Sequence, residues 1–238
     1  MYISVIIPAY NEENRIKKTL IDANLFLKNK LFKYEILVVN DGSTDGTKEV
    51  VESYAQLIPE LRIHNLDKNM GKGYAVREGM RLSYGMYKLF MDADNSTSIS
   101  NLDHLMQYFK DGYDIVISSR QKADSRLTIR QPLIRRILGG LFRKIVFFLV
   151  PIAVSDSQNG FKIFTRESAN FLFSKQTVFG WAFDVEILAL AQKFQFKIKE
   201  VGIEWKNDRD SRLKFKGMTK MLLDIITIRL NLLKNKYD

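Results

Sequence analysis

Glu35-Ile36-Leu37-Val38-Val39, then Asn40-Asp41-Gly42-Ser43-Thr44-Asp45-Gly46, then Val50, Val51, Tyr54, Ala55 and Ile58, reads as strand, polar turn and helix. The aliphatic run is short and has no polar face, as in a strand covered on both sides. Ser43, Thr44 and Asp45 offer side-chain oxygens suited to capping the helix that follows. The same order recurs to either side. Ile3–Ile7 is a second short apolar run, closed by Pro8 and followed by Ile16, Leu20, Ala23 and Leu27 at helical spacing. Downstream, 61–65, 87–91 and 114–118 are further strand candidates. Such alternation predicts an α/β fold, a mostly parallel sheet flanked by helices on both faces. In these sheets ligands sit beyond the carboxyl ends of the strands, which says where to look for chemistry.

The second half changes character. Residues 133–149 form an amphipathic helical pattern, with Ile134, Ile137, Leu138, Leu141, Ile145, Phe148 and Leu149 on one side and Arg135, Arg136, Arg143 and Lys144 on the other. Strands are expected at 161–164 and 196–203, a helix at 183–194 between them, and a last helix over 217–233 with Met218, Met221, Leu222, Ile225 and Leu232 on one face. No repeat or Pro/Gly/Ser-rich linker interrupts the chain, so one domain over residues 1–238 with a C-terminal amphipathic helical elaboration is the simplest organisation.

Composition narrows the chemistry. The chain has 238 residues, 46% of them hydrophobic, enough for a sizeable core. It has no cysteine and two histidines, His64 and His104. Disulfides and thiolate sites are excluded, and any metal must be held mainly by oxygen. Nothing at the start reads as a targeting signal, and the longest uncharged apolar stretch, 145–155, is about half of the roughly 20 residues a spanning helix needs. Net charge is +10. From Arg120 to Lys144 there are eight basic residues and one acid, Asp124, a patch that wants an anionic partner.

Three motifs follow strand candidates. The first run leads into Pro8-Ala9-Tyr10-Asn11-Glu12, the second into Asn40–Gly46, and the fourth into Asp92-Ala93-Asp94. Two carboxylates two residues apart on extended chain can hold Mg2+ or Mn2+ against a diphosphate, because these ions need few protein carboxylates once phosphate oxygens join them. Gly71-Lys72-Gly73 adds pliant backbone and a cation at a candidate helix start, which suits an anion. Singly, each motif is also a solvated turn or a helix cap. Their recurrence at consecutive strand ends is what singles them out.

These residues resemble family-2 glycosyltransferases with the GT-A fold, and within them the dolichyl- or polyprenyl-phosphate sugar synthases. The resemblance runs through "SVIIPAYNEENRI", "ILVVNDGSTDGT", "NMGKGYAVREGM", "FMDADNST", "ISSRQ", "DSQNGFKIFTRESA" and "WAFDVEILALAQ". The last two are closer to dolichyl-phosphate glucosyltransferases than to mannosyl enzymes. It implies a nucleotide-sugar donor held by residues 1–120 and an acceptor- and membrane-facing half over 121–238. By position, Pro8, Ala9, Tyr10 and Glu12 would line the nucleotide site, with Asp41 at the base or ribose and Gly71 and Lys72 nearby. Asp92, Ala93 and Asp94 would meet the diphosphate, with Asp92, Asp94 and Gln158 holding the metal. Arg120 and Arg130 would meet an acceptor phosphate, and Lys206 and Arg212 fall in a segment that closes over the donor in relatives. Asn40 stands where many relatives have a second Asp, and Asn159 where glucosyl relatives often have Cys.

Asp184 is either a base for a hydroxyl acceptor or a contact to sugar hydroxyls. The expected reaction is inverting transfer of a hexose, glucose by resemblance, to polyprenyl phosphate at the cytoplasmic face of a membrane. The enzyme would be peripheral, touching the bilayer through the basic helix at 133–149. The alternatives are a mannosyl or GlcNAc donor, a saccharide acceptor, a nucleotidyltransferase, or a non-enzymatic basic membrane- or nucleic-acid-binding module. The last is disfavoured by carboxylates beside the basic patch, so no nucleic-acid partner is expected. An integral membrane partner or a second copy is left open.

Overall fold

The computed structural model describes residues 1–122, 125–127, 140, 144–150, 152–205 and 215–238. Its main sheet has seven strands in the order β3-β2-β1-β4-β7-β5-β8. In sequence these are β1 (Ile3–Ala9), β2 (Tyr34–Asn40), β3 (Leu61–Asn65), β4 (Tyr87–Met91), β5 (Ile115–Ser119), β7 (Phe161–Thr165) and β8 (Ile198–Gly202). Strands β6 (Arg126–Leu127) and β9 (Glu204–Trp205) make a separate parallel pair. Every residue of β1 and β2 is buried, as expected of strands covered on both faces, while in the edge strand β3 only Leu61 is buried. Helices α1 (Ile16–Leu27), α2 (Thr47–Ala55) and α4 (Leu102–Met106) pack with Ile3, Val5, Ile7 and Ala9 on one face. The other face carries α3 (Lys72–Leu82), α5 (Arg166–Ser174), α6 (Phe183–Lys193) and α7 (Phe215–Leu233), around Ile6, Phe90 and Phe164. The expected α/β architecture, a mostly parallel sheet flanked by helices on both faces, is borne out.

Two features of topology place the site. After β1 the chain builds outward through β2 to β3, then returns to lay β4 on the other side of β1. The crevice for ligand opens at that reversal, beyond the carboxyl ends of β1 and β4. Strand β7 runs antiparallel between β4 and β5. Its entrance, residues 156–160, is therefore delivered to the exit of β4, where the Asp92 N–H donates to Gly160 O at 3.0 Å. Two strands of this sheet, β7 and β8, come from the second half, so the division at residue 120 cuts through the sheet.

Several element expectations shift. The fifth strand begins at Ile115, because the Asp114 N–H and carboxylate are tied to Lys197 instead. The strand expected over 196–203 is Ile198–Gly202. Helix α2 ends at Ala55 and leaves Ile58 buried beyond it. Its N-cap is Gly46, though Asp45 Oδ1 still accepts from Thr47 N at 3.0 Å. Helix α5, capped by Thr165 accepting from Ser168 N, was not foreseen. Most of the amphipathic stretch at 133–149 lies outside the described residues. Within it, residues 144–149 are helical, and Phe148, placed by helical spacing with Ile145 and Leu149, is 87% exposed. Val146 and Val150 take the core-facing positions. Among the described residues no helix is long and apolar enough to cross a membrane.

Candidate active site

The loops after β1 and β2 are stitched together. Asn11, in left-handed conformation, donates its N–H to Ser43 Oγ at 2.9 Å and accepts from Thr44 N at 2.8 Å. The Glu12 N–H donates to Thr47 Oγ1 at 2.7 Å, while the Glu12 carboxylate takes both arms of Arg15. Pro8 and Ala9 lie within β1, buried, and Tyr10 stands exposed at its end. Asp41, expected at the base or ribose, is 2% exposed and accepts the N–H groups of Met70 at 2.7 Å and Gly71 at 3.0 Å. Burial raises its carboxyl and those amides oppose the shift. Its work in the structure is to join the end of β2 to the start of α3.

Gly71 has φ +101°, and Phe179 O leaves no room for a Cβ there. The same carbonyl accepts from Gly73 N at 2.9 Å and Tyr74 N at 3.3 Å. Two amides of the first turn of α3, read as an anion cradle, are thus already engaged, and the Lys72 side chain supplies positive charge. Its ammonium lies 2.7 Å from Asp92 Oδ1 and over the rings of Trp181 at 5.0 Å and Phe90 at 5.2 Å. Burial alone would depress the Lys72 ammonium, but Asp92, Asp184 and Asp94 together raise it.

Asp92 is pinned from two sides, by Lys72 and by Gly160, where the carboxylate occupies the place of a Cβ. Asp94 accepts from Ser96 N at 2.9 Å, and burial, then the nearby Asp92 charge, raises its carboxyl above the ordinary range. Gln158 turns its amide nitrogen to the Met221 sulfur at 3.2 Å, leaving its carbonyl oxygen as the atom that could meet a cation. Two further ion pairs adjoin. Asp184 meets Lys162 Nζ at 2.6 Å, both almost wholly buried, and Arg120 is held bidentately by Asp156 at 2.8 Å. Burial pushes the Asp184 carboxyl up, opposed by Lys162 and Lys72. Burial would also raise Asp156, but its hydrogen bonds and charge attraction to Arg120 hold it below the usual carboxylate range.

Lys72, Arg120 and Lys162 therefore face Asp92, Asp94, Asp156 and Asp184 among the described residues. Asp94 takes part in no ion pair among the described residues and lies beside the Asp92 charge, so a divalent cation would fit there. No cluster of three acidic or imidazole ligands occurs among the described residues. The protein would give at most two carboxylates, as befits a Mg2+ or Mn2+ site completed by phosphate oxygens and water. Arg130, Lys206 and Arg212 lie outside the described residues.

Comparison with known proteins fits this geometry. Residues 4–173 match the family model described as glycosyl transferase family 2. The chain belongs to this family. It is thus a glycosyltransferase, which sets aside the non-enzymatic reading. It is 40% identical to the dolichyl-phosphate beta-glucosyltransferase of Dictyostelium discoideum, over 96% of this chain and 74% of that protein. The human enzyme of that name is 35% identical, over 97% and 76%. Among solved structures, the glucosyl-3-phosphoglycerate synthase of Mycobacterium tuberculosis, in complex with Mn2+, UDP and its product, superposes with a TM-score of 0.72. That match is at 20% identity and covers 97% of this chain and 79% of that one. The mannosyl-3-phosphoglycerate synthase of Rubrobacter xylanophilus gives 0.72 at 15% identity, over 99% and 75%. At such identities these two structures establish the fold.

Sequence reading missed Asp156, Lys162 and Trp181 as members of the site. Lys162 was detectable as a lone charge in the apolar strand Phe161–Thr165. Asp156 was not, since its partner is 36 residues away.

Proposed function

We propose that this glycosyltransferase moves glucose from UDP-glucose, with inversion, onto a polyprenyl or dolichyl phosphate at the cytoplasmic face of a membrane. The observation that carries the reading is the meeting of Asp92 and Asp94 with Lys72 and Arg120 beyond β4 and β5. The relatives' shared name supplies the acceptor and the sugar.

In this reading Pro8, Ala9, Tyr10 and Glu12 line the nucleoside pocket, and Asp41 shapes it by fixing the start of α3. Asp92, Asp94 and the Gln158 carbonyl hold Mg2+ or Mn2+, which when bound offsets the charge gathering on the leaving diphosphate. Lys72 contributes a fixed cation to the same leaving group. The attacking phosphate monoester has a second pKa of about 6 and is already largely dianionic at neutral pH, so it needs no strong base. It needs positive charge to approach another anion, which is the part of Arg120, with Arg130 joining it. Asp184 is committed to Lys162, and in this reading it holds sugar hydroxyls. Lys206 and Arg212 would close over the diphosphate, and the basic segment at 133–149 would rest on the bilayer as a peripheral anchor.

Donor choice is tested by titrating UDP-glucose, UDP-GlcNAc and GDP-mannose in parallel, with Mn2+ and with chelator. UDP-glucose is expected to bind tightest and only with metal. Preference for GDP-mannose would overturn the sugar assignment.

A further inference from the structure

Arg120 follows directly on β5, and its guanidinium feels the charges of Asp92 and Asp184. Asp156 Oδ2 accepts from Arg120 N at 2.9 Å and Nε at 2.8 Å, and Oδ1 accepts from Nη2 at 2.8 Å. The carboxylate thus grips both the backbone and one edge of the guanidinium, fixing the start of the side chain and the plane of its end. Asp156 is itself 2% exposed and is held from behind. The Glu200 carboxylate on β8 accepts Ser155 N at 3.1 Å, Ser155 Oγ at 2.6 Å and Asp156 N at 2.9 Å. A chain of contacts therefore runs from the edge strand to the site.

Resting on the reading that Arg120 meets the acceptor phosphate, we infer that Asp156, braced by Glu200, is a positioning residue that fixes Arg120 for that phosphate. An arginine is long and rotamer-rich, and ordering it at the moment of binding weakens the complex. The fork geometry of a bidentate carboxylate orders it beforehand, as a lysine at this position could not be ordered. The pairing also has an electrostatic cost, because Asp156 offsets the charge that Arg120 offers an anion. The two effects have opposite signs. If Asp156 served only as a counter-charge, removing its charge would tighten acceptor binding; if it positions Arg120, removal weakens it.

The test compares Asp156→Asn, Glu200→Gln, Arg120→Ala and Asp156→Asn/Arg120→Ala, using UDP-glucose and polyprenyl phosphate in detergent, with folding checked by thermal melting. Asp156→Asn is expected to raise the acceptor KM by about 10-fold or more while the donor KM stays within about 2-fold. Glu200→Gln should move the acceptor KM in the same direction by less. It leaves the Arg120–Asp156 pair intact and loses only the Glu200 ion-pair contact to Lys122 Nζ at 3.5 Å, so it carries the test if Asp156→Asn does not fold. In the Arg120→Ala background, Asp156→Asn should add nothing, since it acts through Arg120. An acceptor KM that is unchanged or lower in both single carboxylate variants would overturn the inference and leave the acceptor reading standing. So would an effect of Asp156→Asn that persists undiminished without Arg120. If Arg120→Ala itself leaves the acceptor KM unchanged, the acceptor-phosphate role of Arg120 falls, and the inference falls with it.

Discussion

Asp94→Ala is expected to slow sugar transfer by about 100- to 1,000-fold and to remove the dependence of UDP binding on Mn2+ or Mg2+. Asp94 and Asp92 differ in what surrounds them. Asp92 already has Lys72 at 2.7 Å and the tight Gly160 backbone. At Asp94, burial and then the neighbouring Asp92 charge push the carboxyl up, and the Ser96 amide and hydroxyl and the more distant Lys72 only partly oppose this. A group whose charge the fold leaves so poorly compensated is one a bound cation would stabilise most. Removing it should not harm the fold, because an ill-compensated carboxylate is lost. The Asp94→Ala protein should therefore melt at or above the wild-type temperature while losing activity. Calorimetric titration of UDP with and without metal checks the binding half of the prediction. Metal-dependent UDP binding that survives in Asp94→Ala would move the cation site elsewhere.

Lys162→Met is expected to cost about 3–5 kcal/mol of stability at neutral pH, because it strands Asp184 in the interior. The lysine and aspartate side chains are 2% and 5% exposed, and the ammonium also donates to Asn159 O at 2.5 Å. Burial already raises the Asp184 carboxyl against the pull of Lys162 and Lys72, and without Lys162 it rises further. A carboxyl that titrates higher in the folded than in the unfolded chain takes up a proton on folding. Stability then falls as pH rises from the ordinary carboxylate range through the raised value. The gap between wild type and Lys162→Met should thus widen with pH across that window and close towards acid. Replacing both members, as Lys162→Met/Asp184→Leu, should recover much of the loss. Urea unfolding at a series of pH values checks both points. A gap that does not vary with pH would mean that lost packing, rather than the stranded carboxylate, sets the cost.

The first half of the fold was legible because its signals are local. Ile36–Val39 and Ile3–Ile7 are apolar on both faces, the intervening helices keep their spacing, and Asp92 follows directly on an apolar strand. The second half hid its key feature, the antiparallel β7. Phe161–Thr165 looks the same whichever way it runs, and only pairing with Tyr87–Met91 and Ile115–Ile117 sets its direction. That direction brings Asp156, Gln158 and Gly160 to the site. The grip of Asp156 on Arg120 and of Lys162 on Asp184 are likewise contacts between distant segments, which composition and spacing do not encode. Asp41 shows the opposite limit: its motif marked the right loop, and the fold gave its carboxylate to Met70 and Gly71.

The central claim is that the sugar passes to a phosphate oxygen on a lipid. The direct measurement is transfer of radiolabelled glucose from UDP-glucose, with Mn2+ in detergent, to polyprenyl phosphate, to the matching free polyprenol and to a soluble oligosaccharide in parallel. Label appearing on polyprenyl phosphate alone, and lost with chelator, is the result expected. Label on the oligosaccharide with none on the lipid phosphate would contradict it, and would return Asp184 to consideration as a base for a hydroxyl acceptor.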